Sequence, residues 1–216
     1  MTVTQTERAY IPAAGHHWSL PLYDPFTKLI GVDRARQALI AQSQLEPGFR
    51  VLDVGCGTGT LALQIARRHP QVQVTGADPD PKALSRARRK AARAAVAIHF
   101  DEAFADALPY PESHFDRVFS SFMFHHLDRT AKQSMLAEVR RVLRPGGWLE
   151  LLDFQGPDAQ SGGIMRLLHS HRLLRDNAEG RIVALLAEAG FADPARVGDR
   201  ALLVGHAAYY RASRRS

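Results

Sequence analysis

A chain of 216 residues is long enough for one well-buried domain and short for two. Apolar residues make up 45% and charged residues 23%, an ordinary globular balance with no run of about 18 uncharged apolar residues to cross a membrane, and the single cysteine, Cys56, excludes a disulfide framework or a multi-thiolate metal site. The formal charge of +6 comes largely from "ARRH", "KALSRARRKAARAA" and "RASRRS"; in the second, Lys82, Arg86, Arg89, Lys90 and Arg93 recur at helical spacing, as a solvated helix face does, so no nucleic-acid partner is expected.

The segment "YIPAAGHHWSLPLYDPFTKLIG" is rich in aromatics, His and Pro and reads as neither a core strand nor a long helix. Residues 1–35 are therefore assigned to an N-terminal extension, a lid, and 36–216 to one domain. The first residues lack a basic flank ahead of an apolar core, so no secretory signal is read and a cytoplasmic location is expected. From Arg50 onward apolar runs alternate with amphipathic segments. "RVLDV" is a strand and "TLALQIARRH" a helix; "VQVTGA" is the second strand, and Asp80 followed by Pro81 caps the helix "KALSRARRKAARAA". "AIHF" and "FDRVFSS" are the next strands, "AKQSMLAEVRRVL" a helix, and "WLELLDF" a fifth strand after a turn at "RPGG". Strands separated by helices of this length imply parallel βαβ units with helices on both faces. The tail differs: "RIVALLAEAGF" is a helix stopped at Gly190, and "PARVG" and "ALLVGHAAYYRA" are strands joined by a turn at "GDR", which must pair antiparallel.

The stretch "VLDVGCGTGT" carries most of the functional information. Gly55, Gly57 and Gly59 expose backbone N–H groups where a strand enters a helix, so a ligand can lie against the loop. A dinucleotide fingerprint needs glycine where Thr60 stands. In this feature the sequence resembles the class I S-adenosylmethionine-dependent methyltransferases. The likeness continues through "VTGADPD", "FADALPYPESHFDRVFSSFMFHHL" and "EVRRVLRPGGWLELLDF", four motifs in order along most of the chain. It is similar in particular to the small-molecule branch that includes ubiquinone/menaquinone C-methyltransferases, in which an "L..AGF" segment also precedes the last strands.

The resemblance implies a Rossmann-like α/β fold with a seven-stranded, mostly parallel sheet, an antiparallel last strand and helices on both faces. It implies S-adenosylmethionine as cofactor and S-adenosylhomocysteine as product. Asp53 falls near the amino-acid end, with Gly55, Cys56, Gly57 and Gly59 forming the loop. Asp78, followed by Pro79, accepts from the ribose hydroxyls; Asp106 accepts from the adenine amino group while the Ala107 amide donates to the ring. Ser120 and Ser121 border the methionyl portion, and Tyr23 lies over it. The same positions also have plain structural uses: Asp78 as a helix start, Asp106 in a turn, Cys56 as a packing residue, Asp116 as a partner at a strand start. Catalytic candidates are His125 and His126, whose ring nitrogens titrate in the range suited to proton transfer. His16, His17 and Trp18 belong to the lid.

Absences narrow the acceptor. The stretch after the fourth strand, "SSFM", lacks the Pro-Pro signature of DNA amino-methyltransferases, one cysteine does not suit arsenite, and "SSFMFHH" supplies no acidic cluster for magnesium. No metal is expected. The expected acceptor is a small molecule, aromatic or lipophilic, bordered by Phe122, Met123 and Phe124. Three alternatives stand beside it: a non-catalytic scaffold that binds the cofactor, an RNA methyltransferase, and an NAD-dependent oxidoreductase.

Overall fold

The computed structural model describes residues 31–155, 180–203 and 205–215. Its elements in chain order are α1 (Val32–Gln42), β1 (Arg50–Val54), α2 (Thr60–Arg68), β2 (Gln73–Asp78), α3 (Pro81–Arg93), β3 (His99–Glu102), β4 (Phe115–Ser121), α4 (Arg129–Val142), β5 (Leu143–Phe154), α5 (Arg181–Glu188), β6 (Ala192–Leu202) and β7 (Gly205–Ser213), with a short 3₁₀ turn at Phe124–His126. The seven strands form one sheet in the order β3-β2-β1-β4-β5-β7-β6. The first five in that order run parallel, and β7 is antiparallel to both β5 and β6.

Alternation along the strands divides the core in two. Val51, Phe119, Leu152 and Tyr209 face α1, α2 and α3; Leu52, Val118, Leu151 and Tyr210 face α4 and α5. Every residue of β4 is buried, as a central strand covered on both faces requires. The helices present matching stripes: Leu61, Ala62, Ile65 and Ala66 from α2, Ala83, Leu84, Ala87 and Ala91 from α3. The Asp80 carboxylate caps α3 by accepting from the Lys82 N–H at 2.8 Å, with Pro81 in the first turn.

Three boundaries differ from the sequence-based expectation. Helix α1 was not foreseen, and residues 32–35, assigned to the extension, form its first turn, with Ala35 fully buried. "RPGG" is an excursion inside β5: the pairing slips between Phe115↔Leu143 and Arg117↔Trp148, so the strand resumes after the glycines. "GDR" is not the terminal turn. Gly198, Asp199 and Arg200 pair with Tyr209, Ala208 and Ala207, and the chain reverses between Leu202 and Gly205. An edge strand with one solvated face accepts Gly and Asp without breaking. Gly190, by contrast, ends α5 as expected, at φ +82 with its N–H on the Ala187 carbonyl.

In this strand order the chain winds outward in one direction from β1 to β2 and β3, and in the other from β4 to β5. The carboxyl ends of β1 and β4 therefore flank a topological switch point, where open α/β sheets hold their ligands.

Candidate active site

A cavity of about 460 Å³ opens at that switch point. One wall is the loop after β1, with Asp53, Gly55, Cys56, Gly57, Thr58 and Thr60; a second is Asp78 and Pro79 at the end of β2 with Ala103 to Asp106 after β3; a third is Ser121, Phe122, Met123 and His126 after β4. Arg36 of α1 and Leu127, Asp128 and Ala131 at the start of α4 complete it.

The glycine loop is held from beneath. The N–H groups of Gly55 and Cys56 donate to the Ala77 carbonyl at 2.8 and 3.0 Å, and that of Gly57 donates to Asp78 Oδ2 at 2.8 Å. Gly55, Gly57 and Gly59 all take positive φ, at 69, 52 and 73°, which glycine adopts without strain. Their bareness serves different purposes. A Cβ on Gly55 would stand 2.4 Å from Met123 Cγ, so this glycine lets the post-β4 segment close over the loop. A Cβ on Gly59 would stand 2.8 Å from Ala87 Cβ; this residue does not border the cavity and is bare to let α3 pack. The ligand-facing role expected of Gly59 is thus replaced by helix packing.

The acids of the site are buried. Asp78 is fixed by two amides, Gly57 N–H on Oδ2 and Asp80 N–H on Oδ1 (2.9 Å). Burial raises its pKa, and those two hydrogen bonds oppose the rise. Asp53 is deeper, 1% exposed, and accepts from the Ala62 N–H at 3.2 Å. Burial pushes its carboxyl up to about 7, against the lowering influence of the Arg36 charge. The Cys56 thiol is pushed well up by burial and by the neighbouring Asp53 and Asp78, which disfavours the thiolate a nucleophile needs.

Adjacent residues of a strand face opposite sides, so the two serines of β4 present their side chains to different layers. Ser121 borders the cavity and its Oγ accepts from Arg36 Nε at 3.1 Å. Ser120 does not border it; its buried hydroxyl faces the other layer and makes no hydrogen bond among the described residues. After β3, Phe104, Ala105 and Asp106 line the cavity, while Ala107 is exposed and its N–H donates to the Phe104 carbonyl at 3.1 Å. The backbone placed against the cavity is therefore one turn residue earlier than the sequence suggested. Asp116 is structural: its Oδ2 accepts from the Arg50 N–H at 2.7 Å and its Oδ1 pairs with Arg144. Tyr23, His16, His17 and Trp18 lie outside the described residues.

The segment after β4 begins with Phe122 at φ +56, a left-handed conformation costly for a bulky residue. Its N–H donates to the Leu152 carbonyl at 2.8 Å, and the reversal sets the 3₁₀ turn beside the end of β5. There Asp153, fully buried, holds His125 twice: the backbone N–H at 2.7 Å on Oδ2 and ring Nδ1 at 2.6 Å on Oδ1. His126 stacks obliquely on His125, ring centroids 4.0 Å apart, and it is His126 that borders the cavity. Burial and the neighbouring His125 lower the His126 pKa to about 4, so its imidazole is neutral at pH 7. Sequence reasoning did not foresee Arg36 at the cavity, nor Asp153 as the partner of His125. Among the described residues no group of three or more His, Cys, Asp or Glu side chains is arranged for a metal, and no helix is long and apolar enough to cross a membrane.

The cavity suits S-adenosylmethionine. It holds the amide-fixed carboxylate of Asp78, a bare loop, and buried side chains of both signs, Asp53 with its raised pKa and Arg36 with an Nη1 that makes no hydrogen bond among the described residues. Comparison with known proteins agrees. The family described as a methyltransferase domain matches residues 51–147. The demethylmenaquinone methyltransferase of Deinococcus radiodurans is 37% identical over 202 residues, 89% of this chain and 83% of that protein. The ubiquinone/menaquinone biosynthesis C-methyltransferase of Geobacter sulfurreducens is 31% identical, across 81% of this chain and 78% of that protein. Among solved structures, a SAM-dependent methyltransferase from Aquifex aeolicus superposes with a TM-score of 0.69 over 90% of this chain and 96% of its own, at 20% identity, which speaks for the fold alone. The chain belongs to the class I S-adenosylmethionine-dependent methyltransferases and is related to the quinone methyltransferases among them.

Proposed function

We propose that the enzyme methylates a small aromatic acceptor of the hydroquinone type, with the His125–Asp153 pair and His126 handling the proton the acceptor gives up. Bound S-adenosylmethionine supplies an activated methyl group; the protein's own contribution is to orient and dry the site, worth as much as ~7–11 kcal/mol in well-aligned systems. Asp78 accepts one backbone N–H at each carboxylate oxygen and keeps its remaining lone pairs for ribose hydroxyls. Phe122 and Met123 give the acceptor side an apolar wall. With Nδ1–H donated to Asp153, the His125 Nε2 carries the lone pair that takes a proton, and the buried carboxylate stabilises the imidazolium that results. Methylation of a hydroquinone ring carbon releases one proton overall: the phenolic proton leaves as the ring carbon takes the methyl group from sulfur, and loss of the ring C–H proton then restores the aromatic hydroxyl, so an imidazole fits that acceptor better than it fits an amine that is already nucleophilic.

The observation that carries this reading is the doubly held His125 beside a cavity wall of Phe122, Met123 and neutral His126. It is tested by incubating the enzyme and its Asp153→Asn variant with methyl-labelled S-adenosylmethionine and reduced naphthoquinones, simple phenols or aromatic amines. Label should enter the reduced naphthoquinone first. The variant should lose roughly 10²-fold in kcat or more, the scale of a disabled general base, with unchanged affinity for S-adenosylhomocysteine. Preferential labelling of amines, or an undiminished variant, would reject the proposal.

A further inference from the structure

Arg36 is a cation in an unexpected place. It projects from α1 and is 5% exposed, yet it borders the cavity. Its Nε donates to Ser121 Oγ at 3.1 Å, and its guanidinium carbon lies 5.9 Å from the centre of the Phe122 ring. Nη1, shut off from water, makes no hydrogen bond among the described residues. The Asp33 Oδ1, its ion-pair partner one turn back, stands 3.6 Å away, past hydrogen-bond length, and forms no hydrogen bond of its own among the described residues. A guanidinium offers five donors in a fixed fork, and taking it from water costs several kcal/mol unless acceptors meet those donors.

The surrounding charges say which acceptor is missing. Of the charged and imidazole side chains that border the cavity among the described residues, Asp53, Asp78, Asp106 and Asp128 are acids, His126 is neutral at pH 7, and Arg36 is the one permanent cation. The cofactor has one anionic group, the α-carboxylate of its amino-acid end. We propose that Arg36 is the anchor for that carboxylate, while Asp53 receives the ammonium beside it. The fork matches a carboxylate in two-point geometry, and the Ser121 hydroxyl, by holding Nε, leaves the Nη edge for the ligand. The inference rests on the assignment of S-adenosylmethionine as cofactor and adds to it the residue that reads the charge of its amino-acid head.

Titration calorimetry on the wild type, Arg36→Met and Arg36→Lys tests it, using S-adenosylhomocysteine and the analogue of it that lacks only the carboxylate. The wild type should prefer the complete ligand by about 10- to 100-fold, the range for hydrogen bonds to a charged group. Arg36→Met should bind the two equally, with an affinity for the truncated ligand close to that of the wild type. Arg36→Lys, which keeps the charge without the fork, should retain a reduced preference, and it decides the matter alone if the methionine variant does not fold. A preference undiminished in either variant would overturn the proposal. So would an equal loss for both ligands, which would mark Arg36 as a support for Ser121 only. A wild type that bound neither ligand would overturn the cofactor assignment itself, and the anchor with it.

Discussion

Asp53 sits where its charge is penalised, and that gives the site a measurable pH signature. With a carboxyl pushed up to about 7 in the folded protein against an ordinary value of 3.8, the folded state holds its proton more tightly than the unfolded chain does. The associated stability is present in full below about pH 4 and is lost as pH rises through about 7, an effect on the order of 4 kcal/mol at most. Asn cannot ionise, so Asp53→Asn should be nearly neutral in melting temperature at pH 4 and stabilising at pH 8, with the gap opening between. Paired thermal melts across that range measure it; a constant gap would show that Asp53 ionises normally. Sequence alone disclosed much of the residue-level picture: Asp53, Gly55, Cys56, Gly57, Asp78, Pro79, Asp106, Ser121 and His126 all border the cavity. Each of them lies in a local motif. Asp153 was not legible as a partner for His125 because the contact joins positions 28 residues apart across two strands. Arg36 did leave a signal: Val32, Ala35, Leu39 and Ile40 make an apolar stripe at helical spacing, and Arg36 stands within it.

Elements, more than single residues, determine what a given glycine is for. In sequence Gly55, Gly57 and Gly59 look equivalent, but Gly59 is the point where α3 leans on the glycine loop. Alanine there would need φ +73 and would bring its Cβ within 2.8 Å of Ala87 Cβ and 3.1 Å of the Phe100 ring. A left-handed alanine costs about 1–2 kcal/mol, and overpacking adds about 1–3. Gly59→Ala should therefore lose about 2–5 kcal/mol in denaturant unfolding. Trimming the neighbour, in Phe100→Leu combined with Gly59→Ala, should restore part of that loss; strictly additive costs would mean the two do not meet. The same distinction explains the misplaced boundaries. "GDR" has turn chemistry, but it faces solvent along an edge strand, where ladder bonds to β7 outweigh local preference. At "RPGG" the turn chemistry is real, yet it makes a bulge: a Cβ on Gly147 would stand 2.9 Å from the Arg144 carbonyl, so the loop folds tightly enough for β5 to resume beside β4.

Across the whole molecule, α1 spans the length of the sheet and ties the site to a cluster far from it. At its start Arg36 meets Ser121, at the carboxyl end of β4; at its end the Ser43 carbonyl accepts from Arg117 Nε at 2.9 Å, near the start of the same strand. The far cluster is built on charge. The guanidinium groups of Arg117 and Arg211 both lie over the Trp148 ring, 4.2 and 4.4 Å from its centre. Glu150, fully buried, accepts from Arg211 Nε at 2.7 Å and from Gln42 Nε2 at 3.2 Å. Burial raises the Glu150 pKa and the Arg211 charge opposes that rise. Arg211→Met would strand the carboxylate, a loss that costs about 3–5 kcal/mol in buried pairs. The loss should shrink toward acid pH, because a Glu150 without its partner protonates and no longer carries a buried charge. Affinity for S-adenosylhomocysteine, measured well below the melting temperature, should stay at the wild-type value, since Leu39, Ile40 and the Arg117–Ser43 bond still seat α1. If affinity fell in step with stability, the position of Arg36 would depend on the Glu150 cluster, and the helix would be a lever between the two ends of the sheet instead of a fixed strut.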